Sequence, residues 1–248
     1  MYKKMAIALI VVLLSAAIIT AQDSTHKKSM VLPAKDSMLS VRIKENLLSI
    51  GEMVYLPGLP YMGKWMYTSD LNRAHWLGVL WQNKKLYEPI NVILLDSVAK
   101  TPEEAVQRLE DKLKIAGFTS QDYHSSGYSG LIGDIYYSQL PALLHHAYAD
   151  GPSYKANNHG RIFGPYYCRS HTMFVFIGAF SRETLDTTAK IKHRYESFNR
   201  ARDALSQNLN AKGAGVIIRF VNLENAVVND STASTGDHDG VAVVVVLK

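Results

Sequence analysis

Pro89-Ile90-Asn91-Val92-Ile93-Leu94-Leu95 is followed, six residues later, by Thr101-Pro102-Glu103-Glu104. The first run is short, β-branched and apolar on both faces, which predicts a strand buried between two layers. The second opens a helix. Thr101 is suited to the N-cap, Pro102 to the first helical position, and Glu104 completes a capping box. Val106, Leu109 and Leu113 recur at helical spacing, and Gly117 can close the end in a left-handed conformation. This strand–helix unit argues for an α/β or α+β chain.

Downstream, Arg161 to Tyr167 and Thr172 to Phe180 read as two strands, the second apolar on both faces. Ser197 to Asn210 reads as an amphipathic helix with Phe198, Ala201, Leu205 and Leu209 on one side. Gly215 to Val221 and Val241 to Leu247 are β-branched runs expected to pair or to extend the sheet. The polar stretches Asp122 to Gly133 and Asp150 to Gly160 read as loops, while Met38 to Val54 and Lys64 to Trp81 fit strand or short helix equally. The expectation is a mixed sheet covered by at least two amphipathic helices in a single main domain, residues 37–248, with a C-terminal strand pair over 214–248.

Upstream lies a different signal. Lys3 and Lys4 precede an uncharged, apolar run from Met5 to Thr20, and Ala21 stands before a polar switch, the pattern of a secretory signal peptide over residues 1–21. The alternative is an uncleaved membrane anchor, since the run approaches the ~18 residues of a span. A polar linker follows over 22–36. The chain of 248 residues is therefore expected to be exported, periplasmic or extracellular, and removal of Lys3 and Lys4 lowers its formal charge from +5 to +3. With 47% hydrophobic and 20% charged residues it has the composition of a folded domain. Scattered basic residues do not form the stripe that nucleic-acid binding requires. One cysteine, Cys168, excludes an intramolecular disulfide framework.

Polar clusters flank the apolar strands, where sheets tend to present ligand-binding loops. His124, His159 and His193 are candidates for acid–base chemistry near neutral pH, with Ser181 as a candidate nucleophile. Arg161, Arg182, Asn158 and Arg202 are candidates for holding a phosphate or carboxylate. The competing reading is that each satisfies local backbone or lies on a solvated surface. No metal is assigned: His145-His146 are adjacent and diverge, no His-Glu-x-x-His occurs, and only a dispersed set of His124, His159, His171 and His193 offers a route to one. Gly127-Tyr128-Ser129-Gly130-Leu131 fails the nucleophile elbow at Leu131, and no motif calls for a cofactor. The aromatic residues of 61–81 and 123–167 suit core and rim, or a groove for carbohydrate or lipid.

In order, Ile90-Asn91-Val92-Ile93-Leu94-Leu95, Ala116-Gly117-Phe118, His159-Gly160-Arg161, Ile177-Gly178-Ala179-Phe180-Ser181-Arg182-Glu183 and Ala201-Arg202-Asp203 resemble the LssY-like C-terminal domain family across about residues 87–209. That family is similar to envelope-associated domains, some joined to membrane segments or lipid phosphatase-like modules. The resemblance implies an envelope location and association with the membrane surface or envelope components, and it carries no settled activity. The expected function is binding of a polar or anionic ligand through His/Arg loops. The alternative is a hydrolase acting on phosphate-containing or glycan envelope components.

Overall fold

A computed structural model describes residues 50–186, 188 and 192–248. The signal-peptide, anchor and linker readings lie outside these residues, as does most of the Met38–Val54 segment. The described residues belong to one compact unit, Asp36–Lys248.

The chain runs through β1 (Met53–Val54), β2 (Met62–Gly63), β3 (His75–Trp81), β4 (Lys84–Tyr87) and β5 (Val92–Asp96) into helix α1 (Pro102–Ala116). Strands β6 (Thr119–Gln121), β7 (Ser129–Ile132), β8 (Ile135–Leu140) and β9 (Ala147–Ala149) lead to the long hairpin of β10 (Asn157–Cys168) and β11 (Met173–Leu185). Then come β12 (His193–Ser197), helix α2 (Phe198–Ala211), β13 (Gly215–Asn222), β14 (Ala233–Ser234) and β15 (Val241–Leu247). Twelve strands form one sheet whose main path is β1-β2-β7-β8-β10-β11-β5-β15-β13, with β12 on β11 and β6-β9 on β10. Its pairings are antiparallel except for β5 with β15. β3, β4 and β14 form a small second sheet.

The expected α/β or α+β class is overturned. Among the described residues strand accounts for 45% and helix for 18%, and the large curled sheet extends well beyond the two α-helices. Two segments account for the difference. The Gly/Ser/Tyr-rich stretch read as loop and the tyrosine-rich residues after it supply β7 to β9, where Tyr and Ile suit a pleated, half-buried surface. The hairpin of β10 and β11 also runs further than its apolar run, through Asn157-Asn158-His159-Gly160 and Ser181-Arg182-Glu183, since antiparallel partners satisfy the backbone there whatever the side chains.

The local unit has the Thr101 and Gly117 caps its sequence predicts, while the Glu104 carboxylate serves the residue before the cap rather than Thr101 N. Thr101 Oγ1 accepts from Glu104 N at 3.1 Å, Glu104 Oε2 reaches back to Lys100 N at 2.7 Å, and Gly117 closes the helix at φ 88°. Asp96, at the end of β5, accepts from Val98 N, Ala99 N and Arg108 Nε, tying strand to helix. Phe174, Phe176 and Phe180 join Leu109, Leu113, Leu205 and Leu209 in the core beneath the helices. Val175, Ile177 and Ala179 face the opposite way, into a second core with Met62, Met66 and Ile90. Period-two alternation along β11 therefore separates the two cores.

Asn91 fastens the first strand of the core. Its fully buried amide donates to Phe180 O (2.9 Å) and Phe198 O (3.3 Å) and accepts from Phe180 N (3.0 Å), linking β5, β11 and the start of α2. Asn91→Ala strands three backbone groups without water and should lower unfolding free energy by about 2–4 kcal/mol in urea titrations at pH 7. A midpoint equal to that of the wild type would remove Asn91 from this role.

Candidate functional site

The same alternation that sends Val175, Ile177 and Ala179 away from the helices continues past the apolar run. Ser181 and Glu183 follow on β11, and opposite them stand His159 and Asn157 on β10, with Arg161 two residues further along. Side chains two apart on a strand share a face. Gly160, between His159 and Arg161, permits close packing beneath them: an added Cβ would stand 2.4 Å from the Phe180 ring and 2.5 Å from Ala179 O.

The segment after β6 lies over this row and meets it residue by residue. The rings of His124 and His159 stack at 4.7 Å. Arg161 Nη2 donates to Ser125 O (2.8 Å) and Ser125 Oγ (3.0 Å), and the guanidinium sits 5.3 Å from the Tyr128 ring centroid. His193, on β12, places Nδ1 3.1 Å from Glu183 Oε1. Glu88, between β4 and β5, is buried within electrostatic reach of Arg161 and Glu183. Four of the sequence candidates, His124, His159, Ser181 and His193, thus converge, and Arg161 joins them.

The remaining candidates lie elsewhere. Asn158 and Arg182 point to the other face, where Arg182 Nε donates to Glu196 (2.8 Å) and Asn158 Nδ2 to Asp150 (2.6 Å). Arg202 ties α2 to the start of β15 through Asp203, Asp239 and Val241 O. His171 sits beside Ser170 and buried Cys168. His146 bonds Ser120 Oγ at 2.8 Å. The description of these residues as loops is also corrected: Asn158, His159, Ser181, Arg182 and His193 are on strands, as is Arg161, expected at the start of one, and their spacing is rigid.

Sequence reasoning missed two acids. Glu183 was detectable, since it shares the parity of Ser181 on a strand that continues the apolar run. Glu88 carried no such signal; it precedes Pro89, and only the tertiary fold buries it.

Burial dominates the electrostatics. It lowers the His124 pKa to about 4, assisted by Arg161, His193 and His146, and holds His159 well below the ordinary histidine range, with Arg161 and His124 adding to the effect. His193 is also pushed down by burial. The three imidazoles are therefore neutral at pH 7 and keep a lone pair each. Glu88 and Glu183 move the other way, both to about 7; burial raises them and Arg161 opposes it.

Asn157 fixes one tautomer. Its amide nitrogen donates to Lys155 O (3.0 Å) and Pro152 O (3.4 Å), so its oxygen faces His159 Nδ1 at 3.0 Å and must accept from it. The proton resides on Nδ1, and Nε2 faces Ser181 Oγ at 3.4 Å as an acceptor. One ligand atom each from His124, His159 and Glu183 lies within 4.8 Å of the others, so these three residues can converge on one metal ion. Three buried nitrogens of the cluster, His124 Nε2, Arg161 Nε and His193 Nδ1, have no hydrogen-bond partner. Above them opens a cleft of about 590 Å³, lined by Asp122, Tyr123, His124, Ser125, Leu144 and His145.

Glu88→Gln tests the charge balance. The folded pKa of about 7 exceeds the ordinary value of 4.5, so the cost of burying the carboxylate is absent below about pH 4.5 and complete above about pH 7. Relative to the wild type, the variant should gain stability as pH rises through that window, by on the order of 3 kcal/mol, and hold the gain at higher pH. A difference independent of pH, measured by chemical unfolding, would show that Glu88 ionises as freely in the folded chain as in the unfolded one.

No family model, curated protein or solved structure matches the chain, so the geometry of this buried His/Glu/Arg cluster is the ground on which its function is read.

Proposed function

We propose that the protein is an exported cell-envelope module that binds a polar or anionic ligand at the His124/His159/Arg161 cluster, entered through the cleft beside Tyr123 and Leu144. The observation that carries this reading is the set of partnerless buried nitrogens, His124 Nε2, Arg161 Nε and His193 Nδ1. A buried polar atom without a partner is costly, and a bound ligand supplies the missing partner. The fixed charge of Arg161, held by Ser125 and Tyr128, favours an anionic group. The envelope location is supported by the cationic and apolar pattern of Met1 to Ala21 and by the resemblance of residues 87–209 to LssY-like domains. Among the described residues no helix is long and apolar enough to cross a membrane.

A hydrolase acting on phosphate-containing or glycan components is the second reading, favoured by the relay Ser181 Oγ, His159 Nε2, His159 Nδ1, Asn157 Oδ1. A nucleophile, a base and a group that orients the base are the parts such chemistry needs.

Inorganic phosphate serves as the probe. At ~100 times its dissociation constant it should raise the unfolding free energy by about 2.7 kcal/mol, a melting shift of about 5 °C or more. Arg161→Gln and the surface variant Tyr123→Ala should each diminish that shift, and His171→Gln should not. Equal shifts in all four proteins would place phosphate outside this site. Ser181→Ala should keep the shift and abolish turnover of p-nitrophenyl phosphate; a chain without turnover of that ester or of p-nitrophenyl glycosides is not the hydrolase of the second reading.

A further inference from the structure

The cluster holds more Lewis-basic atoms than an anion site needs. Two carboxyl groups, Glu88 and Glu183, and three imidazoles, His124, His159 and His193, surround a single permanent cation, Arg161. An anion entering alone meets two acids and one arginine. Something of positive charge is missing from that balance.

We propose that His124, His159 and Glu183 bind one divalent transition-metal ion of the zinc class, and that this ion together with Arg161 receives the anionic ligand. Two imidazoles with one carboxylate are the borderline N/O donor set such ions prefer, and three protein ligands leave a position open for water or substrate. One donor atom of each residue lies within 4.8 Å of the others, and His159 presents Nδ1 at 3.8 Å from Glu183 Oε1, so ligation through Nε2 requires the carboxylate to swing toward that nitrogen. Zinc bonds of ~2.0–2.1 Å would set them ~3.3 Å apart, a closure that side-chain rotation can supply.

Three independent features point the same way. His124, 6% exposed, has a buried Nε2 with no partner. His159 is oriented by the Asn157 oxygen on Nδ1, leaving Nε2 its lone pair, as outer-shell partners do for metal-ligating histidines. His193 brings a further partnerless buried nitrogen, Nδ1, to 3.1 Å from Glu183 Oε1. With the ion bound and both acids ionised, the charges of metal, Arg161, Glu88 and Glu183 leave a net excess of one positive charge. That excess draws hydroxide or a phosphate oxygen to the open position.

The inference rests on the ligand-binding reading for the identity of the anion, but the metal site stands or falls by itself. It also excludes the serine relay, because His159 Nε2 cannot both ligate an ion and accept from Ser181 Oγ.

The test uses the full chain purified without a metal-affinity tag. Elemental analysis should find about one zinc, or another first-row divalent ion, per chain. Zinc added after chelation should raise the melting temperature, and cobalt in its place should give the visible absorption of a low-coordinate site. Glu183→Gln keeps the shape of the side chain and should weaken zinc binding at least ~10-fold. His124→Asn should do the same, and His171→Gln should bind as the wild type does. Fewer than ~0.1 ion per chain with no zinc-induced shift, or equal affinity in all variants, overturns the site. Circular dichroism reports whether each variant folds, and Glu183→Gln carries the test should His124→Asn unfold. Zinc bound without a phosphate shift leaves the metal site standing and removes the anion reading. A phosphate shift in a chain that takes up no metal does the reverse.

Discussion

The register of the long hairpin governs the molecule. Phe163 pairs with Ile177 and Ile162 with Gly178, and this pairing is dictated by burial, since the two faces of the strands enter two different apolar cores. A slip of one residue would turn every side chain to the wrong face. The polar ends have no such preference of their own and are carried along. His159 comes opposite Ser181, and Asn157 opposite Glu183, because the phenylalanines and isoleucines further along the strands leave no other register. The apolar centre of the hairpin thereby positions the polar cluster.

Burying that cluster opposes folding. Arg161, Glu88 and Glu183 are taken out of water, and removing a charge from solvent costs several kcal/mol unless partners replace it. Arg161 keeps a carbonyl, a hydroxyl and an aromatic face. The acids keep their protons to near neutrality, and the imidazoles stay uncharged. Apolar cores on both sides of the sheet supply the stability that tolerates such a place, a division of roles common where local physics is overridden for function.

Local chemistry was the most legible part of the sequence. The β5–α1 unit, its Thr101 and Gly117 caps and the amphipathic α2 are written in contiguous residues, and they stand where the periodicity put them. The fold class was not legible. Strands Ser129–Ile132 and Ile135–Leu140 form a tight hairpin across Gly133-Asp134, a turn the sequence does contain, but they join the large sheet only through Met62 and β10, which are remote in sequence. The site was legible as residue types and illegible as faces. Asn158 and Arg182 are adjacent in sequence to His159 and Ser181, yet parity sends them to a different set of partners, Asp150 and Glu196. Parity along a strand is information a sequence contains, provided that the strand is known to continue past its apolar run.

The parallel partner of β5 has a consequence in time. Val92–Leu95 is flanked on one side by β11 and on the other by Val243–Val246, about 150 residues further along the chain. Until Val243–Val246 pairs, one edge of the central strand stays open and β13 has nothing to hold it to the sheet. Pairings of such sequence separation close slowly and favour completion as a single late event.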